Sequence, residues 1–228
     1  MMIKLKQHNL RPYQQICNAI KECQKVAYVS ATGTGKTYVA AKYIEENKLI
    51  AKTLIIVPAV SIKETWQKLF PAIRITTYQN LKNIDLEKEK LIILDEMHHI
   101  PAPIWNRELM RLFDNYKGKI IGLTATEIRN LDDFLNVATK YFDRTIFGYT
   151  IDEAIKNNVL PTFEYICAYY KKFRITNKGK IPDNKKGIYN KLEKQLRIKE
   201  NEYQIKNILA QNRGDKILAF SSTIKQIS

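Results

Sequence analysis

The sequence predicts an α/β fold in three layers: a parallel sheet with helices on both faces. Six short runs rich in Ile, Val and Leu punctuate the first 150 residues, at 26–30, 53–57, 74–77, 91–94, 119–124 and 145–147. Several lack the apolar–polar alternation of a strand with one wet face, so they suit strands buried on both sides. Segments of helical character lie between them, and strand alternating with helix implies βαβ units and parallel pairing.

In chain order, residues 11–14 read as a turn before a helix at 15–25, and further helices follow at 38–47, 61–69, 104–115 and 131–140. A short helix at 151–158 has Asn157-Asn158 near its end, and Pro161 breaks the chain. The character then changes. Residues 163–173 are an aromatic-rich strand candidate, and 176–187, with Lys, Asn, Gly and Pro, read as a loop. Ile188, Leu192, Leu196, Tyr203, Ile205, Ile208 and Leu209 fit a long amphipathic helix ending near Gly214. Residues 216–220 are one more buried-strand pattern. A single strand needs sheet neighbours, so it reads as the start of a second domain. The expected organisation is a nucleotide-binding domain at 1–165, a basic linker with a long helix at 166–214, and the first strand of a truncated second domain at 215–228.

Composition narrows the function classes. The chain of 228 residues carries 38 Lys+Arg against 23 Asp+Glu, a net +15, which favours polyanions as partners. Eleven basic and three acidic residues fall between Lys171 and Glu200, either a solvated face or a phosphate-backbone contact. The three cysteines, Cys17, Cys23 and Cys167, form no CxxC pair and read as reduced thiols. His98-His99 have no nearby Cys partners, so a zinc cluster is not expected. The N-terminus has no apolar targeting region, and no stretch is long and apolar enough to span a membrane. The expectation is a soluble, cytoplasmic protein.

The strongest chemical signal is Thr32-Gly33-Thr34-Gly35-Lys36-Thr37, between the first strand and the helix after it. Glycines let backbone N–H groups approach phosphate oxygens, and the helix N-terminus adds partial positive charge. Lys36 can reach the β/γ-phosphates of ATP, and the Thr37 hydroxyl can ligate Mg²⁺. The strict phosphate-loop pattern G-x-x-x-x-G-K-[ST] fails at its first position, which is Ser30. A Gly-rich strand–helix turn is the plainer alternative. The run Leu91-Ile92-Ile93-Leu94-Asp95-Glu96 delivers two carboxylates to the carboxyl edge of the sheet, where α/β proteins bind ligands. Asp95 would hold Mg²⁺ and Glu96 would polarise the attacking water as general base.

Asp95-Glu96-Met97-His98 resembles the D-E-x-H box of superfamily 2 DEAD/DEAH-like helicases and translocases, and Ala31-Thr32-Gly33-Thr34-Gly35-Lys36-Thr37 resembles their phosphate loop. Leu10-Arg11-Pro12-Tyr13-Gln14 resembles the upstream adenine motif, which implies adenine contact by Arg11 and Gln14. Residues 54–58 followed by Trp66, and Thr77-Tyr78-Gln79-Asn80-Leu81, resemble motifs that contact a nucleic-acid strand, though Trp66 on a helix reads first as core. Gly122-Leu123-Thr124-Ala125-Thr126 resembles the motif that couples hydrolysis to domain motion, which gives His98, Thr124 and Thr126 coupling roles. Glu127 stands where the family often has Pro, and Met97 where Ala is frequent.

The resemblance spans residues 10 to about 165 and implies a RecA-like P-loop NTPase sheet, then the start of a second RecA-like domain. It implies ATP and Mg²⁺ as ligands and nucleic acid as partner. DNA is favoured over RNA, in the manner of restriction-enzyme motor subunits and repair helicases. The family's later motifs, with an arginine finger, belong to the second domain, so a protein partner or adjacent chain would have to supply them. By itself this chain is expected to bind ATP, hydrolyse it poorly and not unwind duplexes. The alternative is an ATP- and nucleic-acid-binding regulatory module without turnover. A small-molecule phosphotransferase fits less well, because it leaves the D-E-x-H and T-A-T motifs unexplained.

Overall fold

A computed structural model describes residues 2–82, 84–101, 103–129 and 135–162. The expectations for 163–173, 176–187, 188–212 and 216–220, and for the basic run, lie outside the described residues. So do the linker and the second-domain strand.

Six strands form one parallel sheet: β1 (Lys25–Val29), β2 (Thr53–Val57), β3 (Arg74–Thr77), β4 (Leu91–Asp95), β5 (Lys119–Thr124) and β8 (Arg144–Phe147). Their order is β3-β2-β4-β5-β1-β8. The continuous apolar runs are explained by burial on both sides: every residue of β2 and β4 is buried. Alternate strand residues then serve two cores. Val26, Tyr28, Ile55, Val57, Ile93 and Leu123 share one with residues of α1 (Gln7–Glu22), α2 (Lys36–Glu46) and α3 (Val60–Leu69). Ala27, Val29, Leu54, Ile56, Ile92 and Leu94 share the other with α4 (Pro103–Asn115) and α5 (Val137–Tyr141). The three-layer α/β class is therefore the observed one. Among the described residues no helix is long and apolar enough to cross a membrane.

Parallel pairing aligns the carboxyl ends of the strands. Val29 is in register with Thr124, and Asp95 with Leu123. The end of β5 thus lies between the loop leaving β1 and the acids ending β4.

Two expectations need correction. The first helix starts at Gln7, not residue 15, and carries Pro12 buried within it. Proline breaks a helix interior on local grounds. Here Asn9 N bonds the Lys6 carbonyl at 2.9 Å, and the Asn9 side chain is tied to a distant loop, so tertiary contacts hold the extra turns. Of the helix expected at 131–140, residues 131–134 lie outside the described residues, 135–136 are a strand, and α5 begins at Val137. That strand, β7 (Leu135–Asn136), pairs antiparallel with β6 (Ile128–Arg129). Val137 N bonds the Glu127 carbonyl, and the Asn136 side chain accepts from Thr139 N, which starts α5 at Val137. A capping box starts the short helix α6 (Ile151–Lys156) through Thr150 and Glu153.

Met97, the departure from Ala, is fully buried, and Gly122 of β5 makes room for it. A Cβ at Gly122 would lie 2.5 Å from Met97 Sδ and also strike the Phe142 ring. Gly122→Ala is therefore expected to destabilise the chain by about 1–3 kcal/mol, the usual cost of overpacking, read as a lower urea midpoint. An unchanged midpoint would show that Met97 and Phe142 repack freely.

Candidate nucleotide and cation site

The loop at residues 30–35 leaves β1 and enters α2. Gly33 and Gly35 have φ of 83° and 97°, and a Cβ at Gly35 would lie 2.8 Å from Asn9 Nδ2. Both the left-handed backbone and the close approach demand glycine there. Ser30, where the strict motif has glycine, is buried. Its Oγ lies 2.8 Å from Thr34 Oγ1 and donates to the Tyr149 carbonyl at 3.3 Å. Thr34 Oγ1 in turn donates to the Ala31 carbonyl at 2.7 Å. Backbone bonds fix the root of the loop: Ser30 N to the Thr124 carbonyl and Ala31 N to the Tyr149 carbonyl.

α1 braces the other side. Asn9 Nδ2 donates to the Thr34 carbonyl at 2.8 Å, and His8 Nε2 lies 2.8 Å from the same oxygen. Tyr28 OH donates to Asn9 Oδ1 at 3.4 Å. Lys36 Nζ, itself buried, donates to the carbonyls of Ser30 at 2.9 Å and Ala31 at 3.3 Å. Burial pushes this ammonium below the usual lysine range, and the nearby Glu96 and Asp95 charges oppose that shift. Thr32 is exposed, and Thr37 is half-buried in the first turn of α2.

The acids receive a separate frame. Asp95 ends β4 with 6% exposure. Trp66 Nε1 donates to its Oδ2 at 2.8 Å, Glu96 N to its Oδ1 at 3.1 Å, and Tyr78 OH to its backbone carbonyl at 2.9 Å. Burial raises the Asp95 carboxyl, and the Trp66 bond works against that rise. Glu96 has a left-handed backbone, φ 51° and ψ 54°. Its carboxyl is lowered, first by the hydrogen bond with His98. His98 Nδ1 lies 3.3 Å from Glu96 Oε2 and 3.0 Å from Thr124 Oγ1. Thr124 Oγ1 donates to the Thr126 carbonyl at 2.8 Å and accepts from Thr126 N at 3.3 Å. The three residues read as coupling groups thus form one chain of contacts from Glu96.

Arg11 and Gln14 are placed differently. Arg11 lines a cleft of about 820 Å³ with His8, Gln15, Tyr149, Glu153 and Asn158. Gln14 is exposed and does not line it. Neither hydrogen-bonds the loop among the described residues; His8 and Asn9, just upstream, do. Sequence reasoning missed those two residues, and it missed the bonds that Tyr78 and Trp66 make to Asp95. The available signal was weak: polar residues at a helix start, and aromatic residues beside a strand. Trp66 is fully buried, so it is core rather than a base-stacking platform.

The donor set fits a nucleoside triphosphate and Mg²⁺. A buried ammonium, Lys36 Nζ, lies against the Ser30 and Ala31 carbonyls of a loop whose backbone is left-handed at Gly33 and Gly35. The Thr37 hydroxyl and Asp95 carboxylate are hard oxygen donors of the kind Mg²⁺ takes alongside substrate phosphates.

Residues 2–74 and 71–129, together more than half the chain, match the family described as "Type III restriction enzyme, res subunit". Two curated proteins, each described as "Putative DNA 3'-5' helicase Rad25", are 27% identical to it. The one from Haloarcula marismortui aligns over 191 residues, 67% of this chain and 29% of its own. The one from Halobacterium salinarum aligns over 159 residues, 58% of this chain and 26% of its own. The chain therefore spans less than a third of the length of these relatives. Among solved structures, the Hef helicase domain of Pyrococcus furiosus is similar at 20% identity with a TM-score of 0.45, over 60% of this chain and 37% of that one.

Ser30→Gly would restore the strict loop pattern while deleting a buried hydroxyl. Stability is expected to fall by about 1–3 kcal/mol, because Thr34 Oγ1 and the Tyr149 carbonyl lose a buried partner. Urea unfolding checks this, and a more stable Ser30→Gly chain would show that the hydroxyl network contributes nothing.

Proposed function

The chain belongs to the family of the type III restriction enzyme res subunit, and from that premise we propose that it is the ATP-hydrolysing motor part of a nucleic-acid-dependent helicase or translocase. The observation that carries this reading is the convergence at one sheet edge of a buried ammonium, Lys36, with two adjacent carboxylates, Asp95 raised by burial and Glu96 lowered by its hydrogen bond with His98.

Lys36 now satisfies its charge with two neutral carbonyls. Anionic phosphate oxygens are stronger acceptors, so a bound triphosphate draws the ammonium towards the β/γ-phosphates. Backbone N–H groups of the loop and the start of α2 complete the cradle. Mg²⁺, held by Thr37 and Asp95, would supply further positive charge against the phosphates. Glu96 stays ionised at neutral pH and orients a water in line with the γ-phosphorus. As the water oxygen bonds phosphorus, the bond to the β–γ bridging oxygen breaks. Glu96 takes the proton released, and ADP and inorganic phosphate leave. His98, Thr124 and Thr126 connect that carboxylate to the end of β5 and so relay its change of charge. That Arg11 lines a cleft supports its contact with the base, and Gln14, exposed and outside that cleft, has less support. DNA is the favoured polymer, because both curated relatives are described as DNA helicases.

The test is ATP binding and turnover with single-stranded DNA, duplex DNA and RNA. Lys36→Ala is expected to lose about 10²–10³-fold in turnover, the scale for removing one preorganised donor to developing charge. Glu96→Gln is expected to bind ATP as wild type does and turn over roughly 10²–10⁴-fold more slowly, the range for a general base. Undiminished activity in Lys36→Ala refutes the nucleotide site. Binding without turnover in the wild type leaves an ATP-binding module, and stimulation by RNA alone replaces DNA with RNA.

A further inference from the structure

Trp66 is a fully buried indole on α3, far in sequence from the acids, yet its one polar atom is spent on Asp95 Oδ2 at 2.8 Å. Tyr78 OH holds the carbonyl of the same residue at 2.9 Å, and Glu96 N holds Oδ1. Asp95 is therefore gripped at its backbone and at both carboxylate oxygens. The choice of donor matters. A Lys or Arg partner would fix the carboxylate but cancel its charge. An indole N–H is a neutral donor with no acceptor function, so it fixes the rotamer and leaves the full negative charge for a cation. Each oxygen also keeps lone pairs beyond the one in use.

We propose that Trp66 is a positioning residue that orients Asp95 for a divalent cation bound with the nucleotide. This rests on the proposed function and goes beyond it, since the motif resemblance reads this position as a nucleic-acid contact and its place on a helix reads it as core. Orienting a ligating carboxylate through its outer hydrogen bond changes cation affinity without touching the nucleotide itself.

The experiment uses the full chain and a fluorescent ATP analogue, titrated at increasing Mg²⁺ and separately in EDTA. Trp66→Phe keeps an aromatic ring and removes the donor. The Mg²⁺ concentration for half-maximal binding is expected to rise about 10–100-fold, the scale for losing such a partner, with affinity in EDTA unchanged. Should Trp66→Phe not fold, benzothienylalanine at position 66 in a Trp105→Phe background gives the same readout. It replaces only the N–H by sulfur at nearly constant ring volume. An unchanged Mg²⁺ requirement overturns the inference, as does an equal loss of affinity with and without Mg²⁺, which marks a packing role. Asp95→Asn separates the two readings. If wild-type binding ignores Mg²⁺, or Asp95→Asn leaves the requirement intact, the cation assignment of the proposed function falls and this inference with it. If Asp95→Asn raises the requirement and the Trp66 variants do not, this inference alone fails.

Discussion

Everything at this site depends on β5 lying between β1 and β4 in parallel register. Parallel strands end on one edge, and their order decides which loops can meet. With Val29 opposite Thr124 and Asp95 opposite Leu123, the loop leaving β1 and the acids ending β4 stand one strand apart. That separation brings Lys36 within electrostatic range of Asp95 and Glu96, and it places Thr124 where it can bond Ser30 N through its carbonyl and approach His98 through its hydroxyl. One residue thus touches both the phosphate loop and the acid chain. A slip of β5 by one residue would turn every side chain to the other face and separate these contacts.

The electrostatics follow from that geometry. Three charged groups share a mostly buried edge, and burial penalises all of them. They remain workable because the environments differ. Asp95 is the more deeply buried acid, and burial dominates its shift; it has neutral donors on both oxygens. Glu96 faces the imidazole of His98 and is lowered. In the proposed mechanism two neighbouring carboxylates divide the work, Asp95 towards a cation and Glu96 towards a water and its proton. Lys36 is the common counter-charge, and its bonds to two loop carbonyls show how the ammonium is kept satisfied without an anion.

Much of this was legible in the sequence, for reasons particular residues make clear. Strands buried on both faces must be continuously apolar, so β2 and β4 could be read from Thr53–Val57 and Leu91–Leu94 almost to the residue. The phosphate loop could be read because its chemistry restricts residue type, with glycine at positive φ and lysine then threonine entering the helix. The start of α1 could not, because Pro12 argues locally against a helix that His8 and Asn9 stabilise from 25 or more residues away. The β6–β7 pairing before α5 could not, because a two-residue pairing leaves too short a pattern to compete with helical periodicity. The Trp66–Asp95 bond was hidden because composition reports that an indole is buried, never where its N–H points.

The departures from the family pattern lead to a more general step. Ser30 and Met97 both read as defects when each motif is compared position by position. In the folded chain each is matched by a neighbour: Ser30 by Thr34 and Tyr149, Met97 by Gly122. The Ser30 match uses its side chain, whereas Lys36 Nζ bonds its backbone carbonyl. Ser30 lies under the loop, and Met97 packs beneath the acid turn. Buried positions under a functional edge can change in this way because close packing asks for complementary volume and satisfied polar atoms, which more than one pair of side chains can supply. Lys36, Asp95 and Glu96 have no such freedom. In the proposed mechanism their replacement would have to reproduce charge, reach and protonation at once, which is why an imperfect motif could still be read for its chemistry while His8 and Asn9 beside it could not.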